Sequence, residues 1–179
     1  NALTFPLSGP GSVGMEYCFV NIVAPGDKVV VCQNGVFGGR MLENAIRCGG
    51  NPVVVEDKWG DPVDPQKLED ALKKNRDAKV VAFVHAETST GCQSDAKLLT
   101  QIAHKHGALV IVDAVTSLAG HPLKVDAWGI DAIYSGTQKC LSCPPGLSPV
   151  SFSPLAVEMT EKRATKVQSW YFDISMLKD

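Results

Sequence analysis

Hydrophobic and polar positions alternate along this chain in two rhythms. Short continuous apolar runs, at residues 3–7, 28–32, 52–56, 80–85 and 109–112, are rich in β-branched side chains and predict strands covered on both faces. Between them the apolar positions fall at helical spacing. Val13, Met15, Tyr17, Cys18, Val20 and Ile22 predict one helix, residues 36–48 a second closed by Gly49 and Gly50, and Leu68 and Leu72 a third entered through the turn and cap residues of 61–65. A polar loop at 87–94 leads into a fourth helix at 95–106, capped by Gly107. Connections this long exclude hairpins, so the pattern predicts an open, mainly parallel sheet with helices on both faces, a three-layer α/β sandwich. After Asp113 the rhythm changes. Residues 130–134 and 149–152 read as two further strands joined only by a loop, short enough for an antiparallel pair and making the sheet mixed.

Composition bounds the possibilities without selecting one. With 179 residues, 45% hydrophobic and 20% charged, the chain suits one domain with a sizeable core. A net charge of −2 and a pI near 6.1 give no electrostatic reason to expect nucleic acid or an anionic membrane as a partner. The longest apolar runs are strand-length, and no secretory signal pattern opens the chain. It begins at Asn1 without an initiator Met and runs at once into a strand, so a piece of a longer protein is expected. Six cysteines spread across strands, helices and loops argue against a disulfide framework and for an intracellular, reducing compartment, cytoplasmic by default. Cys140 and Cys143 spell C-x-x-C, but with no second pair at metal spacing they read as small buried residues rather than a zinc or redox site.

In sheets of this kind ligands bind beyond the carboxyl ends of the strands, and the chemically suggestive residues all lie there. The stretch Gly9, Pro10, Gly11, Ser12, Val13, Gly14 matches G-x-G-x-x-G between a strand and a helix. A dinucleotide site also wants an acid at the end of the second strand, where this chain has Cys32, Gln33 and Asn34, so a nicotinamide-dependent oxidoreductase fits poorly. What survives is a helix N-terminus able to hold a phosphate through Gly11, Ser12 and the Ser12 hydroxyl; a glycine turn without a ligand is the alternative. Asp113 ends an apolar strand, where a buried carboxylate is either a loop or helix cap or the partner of a cation, and Val115 follows it at the spacing that shares its side. Lys139 lies in an otherwise uncharged loop, YSGTQKCLSCPP, just past a core strand. It is either a solvated surface lysine or an amine pushed by desolvation toward its neutral, nucleophilic form. A phosphate cup, a carboxylate and a lysine at adjacent strand ends together describe a site for pyridoxal 5′-phosphate, with Asp113 pairing with the pyridine nitrogen, Lys139 forming the Schiff base, and Phe37 and Val115 on the two ring faces. Core packing is an equal reading of Phe37 alone.

The segments SGPGSVGMEY, APGDKVVVCQNGVFGGR, HAETSTG, VDAVTSLAGHPLKVDAWGIDAIYSGTQK and CPPGLSPVSFS resemble class V aminotransferases of pyridoxal-phosphate fold type I. They are most similar to the alanine–glyoxylate / serine–pyruvate aminotransferase branch, which includes insect 3-hydroxykynurenine transaminases. The resemblance runs through nearly the whole chain and is most specific from Asp113 to Lys139 and in the CPPG that follows. It implies that Lys139 is the Schiff-base lysine and Asp113 the partner of the pyridine nitrogen. It further implies Val115 against the ring, Gly11 and Ser12 at the phosphate, Thr88 near the ring hydroxyl and Gln138 beside the phosphate. Phe37 stands where close relatives often have tryptophan, and Pro10 and Ser12 replace the serine and histidine familiar in the phosphate turn. The implied activity is transamination between a small amino acid such as alanine or serine and glyoxylate or pyruvate, in a homodimer. Residues 1–179 would be part of the large, cofactor-binding domain, and a small domain outside them would supply the arginine for the substrate carboxylate. Cysteine desulfurases share the fold, but His85 is not followed by their asparagine-rich pattern and no cysteine sits on a recognisable nucleophile loop. A catalytically inactive interaction module is the remaining alternative, against which the joint presence of Lys139 and Asp113 weighs.

Overall fold

The structure is a computed structural model that describes residue 1 and residues 3–177. Seven strands form one sheet: β1 (Leu3–Ser8), β2 (Lys28–Gln33), β3 (Asn51–Glu56), β4 (Ala78–Val84), β7 (Leu109–Asp113), β8 (Ala132–Tyr134) and β9 (Leu147–Phe152). Their order across the sheet is β1-β9-β8-β7-β4-β2-β3. The pairs β2–β3, β2–β4, β4–β7 and β7–β8 are parallel, whereas β9 runs against both of its neighbours, β8 and β1. The antiparallel β8–β9 pair follows from the short loop between them, as the sequence predicts. The sequence does not indicate that β1 docks beside β9, with Phe5 opposite Val150.

Alternation along the central strands divides the core in two. Val29 and Val31 of β2, Val80, Ala82 and Val84 of β4, and Ile111 of β7 face one side, where α1 (Gly11–Ile22), α2 (Val36–Arg47) and α6 (Pro154–Glu161) contribute Met15, Phe19, Met41, Ala45 and Ala156. Val30, Cys32, Val81, Phe83, Val110 and Val112 face the other, against Leu68 and Leu72 of α3 (Pro65–Lys74) and Leu99 and Ala103 of α4 (Ala96–Lys105). This is the three-layer sandwich, and it explains why the central strands read as unbroken apolar runs. Each Val, Leu, Ile, Met or Phe side chain among these contributes about 1.5–3 kcal/mol on leaving water, before chain entropy is charged against it.

Where local signals were clear, the elements start where the chain says they should. Asp64 accepts a hydrogen bond from Gln66 N, with Pro65 opening α3, and Asp95 accepts one from Leu98 N to open α4. Two details differ from the expectation. The loop at 87–94 contains a small antiparallel ribbon of β5 (Ala86–Glu87) and β6 (Cys92–Gln93). The strand expected at 80–85 stops at Val84, leaving His85 N to donate to Asp113 O (2.9 Å) and tie β4 to the end of β7. A short α5 (Val125–Trp128), ended by Gly129 at φ 73°, fills the interval before β8.

Candidate active site

The loop between β8 and β9 is held by the elements on either side of it. Ser135 N donates to Pro149 O (2.9 Å) and Thr137 N to Leu147 O (3.1 Å), extending the hairpin. Ser135 Oγ donates to Ala114 O (3.0 Å) and Ser148 Oγ to Ser135 O (2.7 Å), while Gly9 N reaches Gly146 O (2.7 Å) from the end of β1. Lys139 is presented from this frame and is solvent-exposed, which corrects the expectation that the loop desolvates it. The core character of β8 ends at Gly136, three residues earlier, and the cleft that Lys139 lines is open. Cys140 and Cys143 are likewise exposed, not buried; their thiols donate to Thr116 O (3.3 Å) and Leu141 O (3.2 Å). The turn requires this, since Ser142 between them adopts the left-handed region at φ 56° and turns the chain outward.

Asp113 is buried at the last position of β7. Its Oδ1 accepts from Val115 N (2.8 Å) and its Oδ2 from the Tyr134 hydroxyl (2.9 Å). Desolvation pushes the carboxyl up to about 6; the two hydrogen bonds oppose the shift and the nearby Glu87 charge reinforces it. Burial and the adjoining Asp113 hold the Tyr134 phenol far above its ordinary range, so it stays a donor. A carboxyl in this condition is stabilised as an anion by any cation brought into the cleft.

The glycine turn serves both close packing and an exposed helix end. A Cβ on Gly14 would lie 2.3 Å from Ser148 Oγ and 2.7 Å from Tyr134 Cβ, so the third glycine lets α1 lie against β8 and β9. A Cβ on Gly11 would lie 2.6 Å from Val115 Cγ2, which places Val115 directly against the start of α1. Pro10 caps α1 without a side-chain hydrogen bond, leaving the Gly11 and Ser12 amides unpaired within the helix. Gln138 Oε1 is buried with no partner, and a Cβ on Gly136 would meet both Gln138 Oε1 (2.9 Å) and Gly11 N (3.3 Å). Unpaired polar groups thus converge where the absence of a side chain keeps a cradle open.

Gly11, Ser12, Phe37, Asp113, Val115, Gln138 and Lys139 all border one cleft of about 200 Å³, together with Tyr134, Met15 and Arg40. Thr88 does not. It sits on the β5–β6 turn, where the Thr116 hydroxyl donates to Ala86 O (2.6 Å) and therefore receives the Thr88 hydroxyl (3.0 Å). Phe37 packs on the core and also lines the cleft, with the Arg40 guanidinium 4.7 Å over its ring. Sequence reasoning passed over Tyr134, which reads as core, Arg40, which reads as helix surface, and Glu87, which reads as loop. An acid three positions past the end of the apolar strand β4 was the available signal for Glu87.

The cleft offers amide donors for an anion, a buried carboxyl for a protonated nitrogen and a primary amine for a carbonyl, a set that complements one elongated ligand carrying all three. A model of the family described as Aminotransferase class-V matches residues 11–171. The chain is 40% identical to the soluble hydrogenase 42 kDa subunit of Anabaena cylindrica, over 97% of this chain and 45% of that protein. It is 37% identical to the alanine–glyoxylate aminotransferase of Rattus norvegicus, over 99% of this chain and 42% of that one. The crystal structure of an alanine–glyoxylate aminotransferase from Nostoc sp. superposes with a TM-score of 0.95 at 41% identity, covering 99% of this chain and 47% of that chain. The chain therefore spans less than half the length of these relatives, and across that span it belongs to the class-V aminotransferase family.

Proposed function

We propose that this chain carries the cofactor site of a pyridoxal-phosphate-dependent aminotransferase acting between a small amino acid, alanine or serine, and a 2-oxo acid, glyoxylate or pyruvate. The observation that carries the reading is the convergence of Asp113, Lys139 and the open start of α1 on one cleft. The Gly11 and Ser12 amides, the Ser12 hydroxyl and the Gln138 side-chain N–H would hold the phosphate. Val115 and Phe37 would bracket the ring, Asp113 would keep the proton on its nitrogen, and Lys139 Nζ would provide the covalent attachment. When bound, pyridoxal phosphate supplies a conjugated ring that delocalises the electron pair left at the substrate Cα. Lys139 Nζ, released when substrate displaces it, would take the proton from the substrate Cα as base and deliver it to the cofactor C4′ as acid. Thr88 stands on the β5–β6 turn outside the cleft lining, and the family resemblance would bring it near the ring hydroxyl. Residues 1–179 form part of the large domain, the carboxylate-binding arginine comes from a small domain outside them, and two subunits pair. Among the described residues no helix is long and apolar enough to cross a membrane; a reducing compartment, the cytoplasm by default, suits the six free cysteines.

The test is borohydride reduction of the full-length protein with pyridoxal phosphate, followed by peptide mapping. The expected result is a reduced adduct on Lys139 that is absent from Lys139→Ala, together with turnover of alanine or serine against glyoxylate or pyruvate. A protein that binds no pyridoxal phosphate would overturn the reading.

A further inference from the structure

The first turn of α2 presents three backbone amides, at Val36, Phe37 and Gly38, that no residue of the helix can satisfy. Gly35 offers no side-chain cap, and the first turn holds no acid. The missing acceptors come from the β5–β6 ribbon. Glu87 Oε2 accepts from Phe37 N (3.1 Å) and Gly38 N (3.3 Å), and Ser89 Oγ accepts from Val36 N (3.0 Å). Glu87 Oε1 in turn accepts from Ser89 N (3.1 Å) and Ser89 Oγ (2.7 Å), so the buried carboxylate receives four hydrogen bonds. Its approach depends on Gly35, where a Cβ would lie 2.4 Å from Glu87 Cγ. An anion set against a helix N-terminus is electrostatically favoured as well as hydrogen-bonded.

The residue whose amide is held, Phe37, is also the one whose ring walls the cleft. We propose that Glu87 is a positioning residue for the cleft: its carboxylate clasps the first turn of α2 and thereby fixes the Phe37 ring in the wall that Lys139 and Asp113 share. The role rests on the pyridoxal-phosphate reading above, because it is the cofactor ring that Phe37 is fixed to meet. It also links Thr88, the next residue on the ribbon, to the same anchor.

The test uses Glu87→Gln in the full-length protein, which keeps the side chain's size and removes its charge, with Leu99→Ala as a control that weakens the core on the far side of the sheet. Hydrogen exchange before cofactor is added reads the clasp, and the dissociation constant for pyridoxal phosphate with its induced visible circular dichroism reads the position of the ring. In Glu87→Gln the amides of residues 36–38 are expected to exchange faster, the dissociation constant to rise about tenfold, and the dichroism to fall. The borohydride-stable adduct on Lys139 should still form, and Leu99→Ala should leave dissociation constant and dichroism unchanged. Faster exchange with unaltered affinity and dichroism overturns the proposal, as does a Leu99→Ala protein that reproduces both changes. If the unsubstituted protein forms no adduct at all, the functional reading is what has failed. That case is distinguishable, because the exchange difference persists while neither protein takes up cofactor, and the positioning role ends with it.

Discussion

Replacing Asp113 by asparagine in the cofactor-free protein should change how stability depends on pH. Burial lifts the carboxyl from 3.8 to about 6, so between those values the folded chain binds a proton that the unfolded chain has released. The sign follows directly: for a group whose folded value is raised, the stabilising contribution is complete below the unfolded value and is lost as pH rises through the folded one. Raising the carboxyl from 3.8 to about 6 corresponds to about 3 kcal/mol lost between roughly pH 4 and pH 7. Asparagine can keep both contacts, accepting from Val115 N and donating to the Tyr134 oxygen, and it does not titrate. Urea unfolding of parent and Asp113→Asn across that range should therefore show the parent losing about 3 kcal/mol relative to the variant as pH rises. Burial lowers the His85 value and acts in the opposite direction, but in both proteins, so it cancels from the difference. A difference that does not vary with pH would refute the placement of an ionising carboxyl on the cleft floor. On the proposed reading the same linkage should make pyridoxal phosphate bind more tightly as pH rises through about 6, a dependence that Asp113→Asn should weaken.

Gly14→Ala forces a methyl to within 2.3 Å of Ser148 Oγ and should cost about 1–3 kcal/mol, read as a lowered Tm; an unchanged Tm would show that α1 is not seated on β9 as described. Arg163 donates from Nη1 to the carbonyls of Val20 (3.0 Å), Asn21 (2.8 Å) and Val23 (3.0 Å) at the end of α1. Arg163→Ala should lose about 2–3 kcal/mol by urea unfolding, with Arg163→Lys recovering only part, and a neutral Arg163→Ala would contradict that capping role. Cys140 and Cys143 should react first with an aromatic disulfide reagent, while Cys18, Cys32 and Cys48 wait for unfolding, burial having pushed the Cys48 thiol up to about 11. Equal rates for all of them would contradict the burial pattern.

The local elements and several of the side chains that line the cleft are legible from the sequence alone, because each leaves a local mark. The β-branched run at 28–32 announces a strand covered on both faces, Asp64 and Asp95 announce helix starts, and Asp113 and Lys139 stand out as charges placed where apolar strands end. Tertiary structure alone decides which of these meet. Nothing near residue 5 specifies that β1 lies beside β9, and nothing in the loop at 87–94 reveals that Glu87 folds back onto α2, since both contacts join residues 50 or more positions apart. The exposure of Lys139, Cys140 and Cys143 is of the same kind, set by where the chain turns after Gly136 and at Ser142. Periodicity records that a face is covered, because burying apolar surface is non-directional and roughly proportional to area. What covers it depends on hydrogen-bond register and side-chain shape across the sheet, and those are properties of the folded pair rather than of either segment.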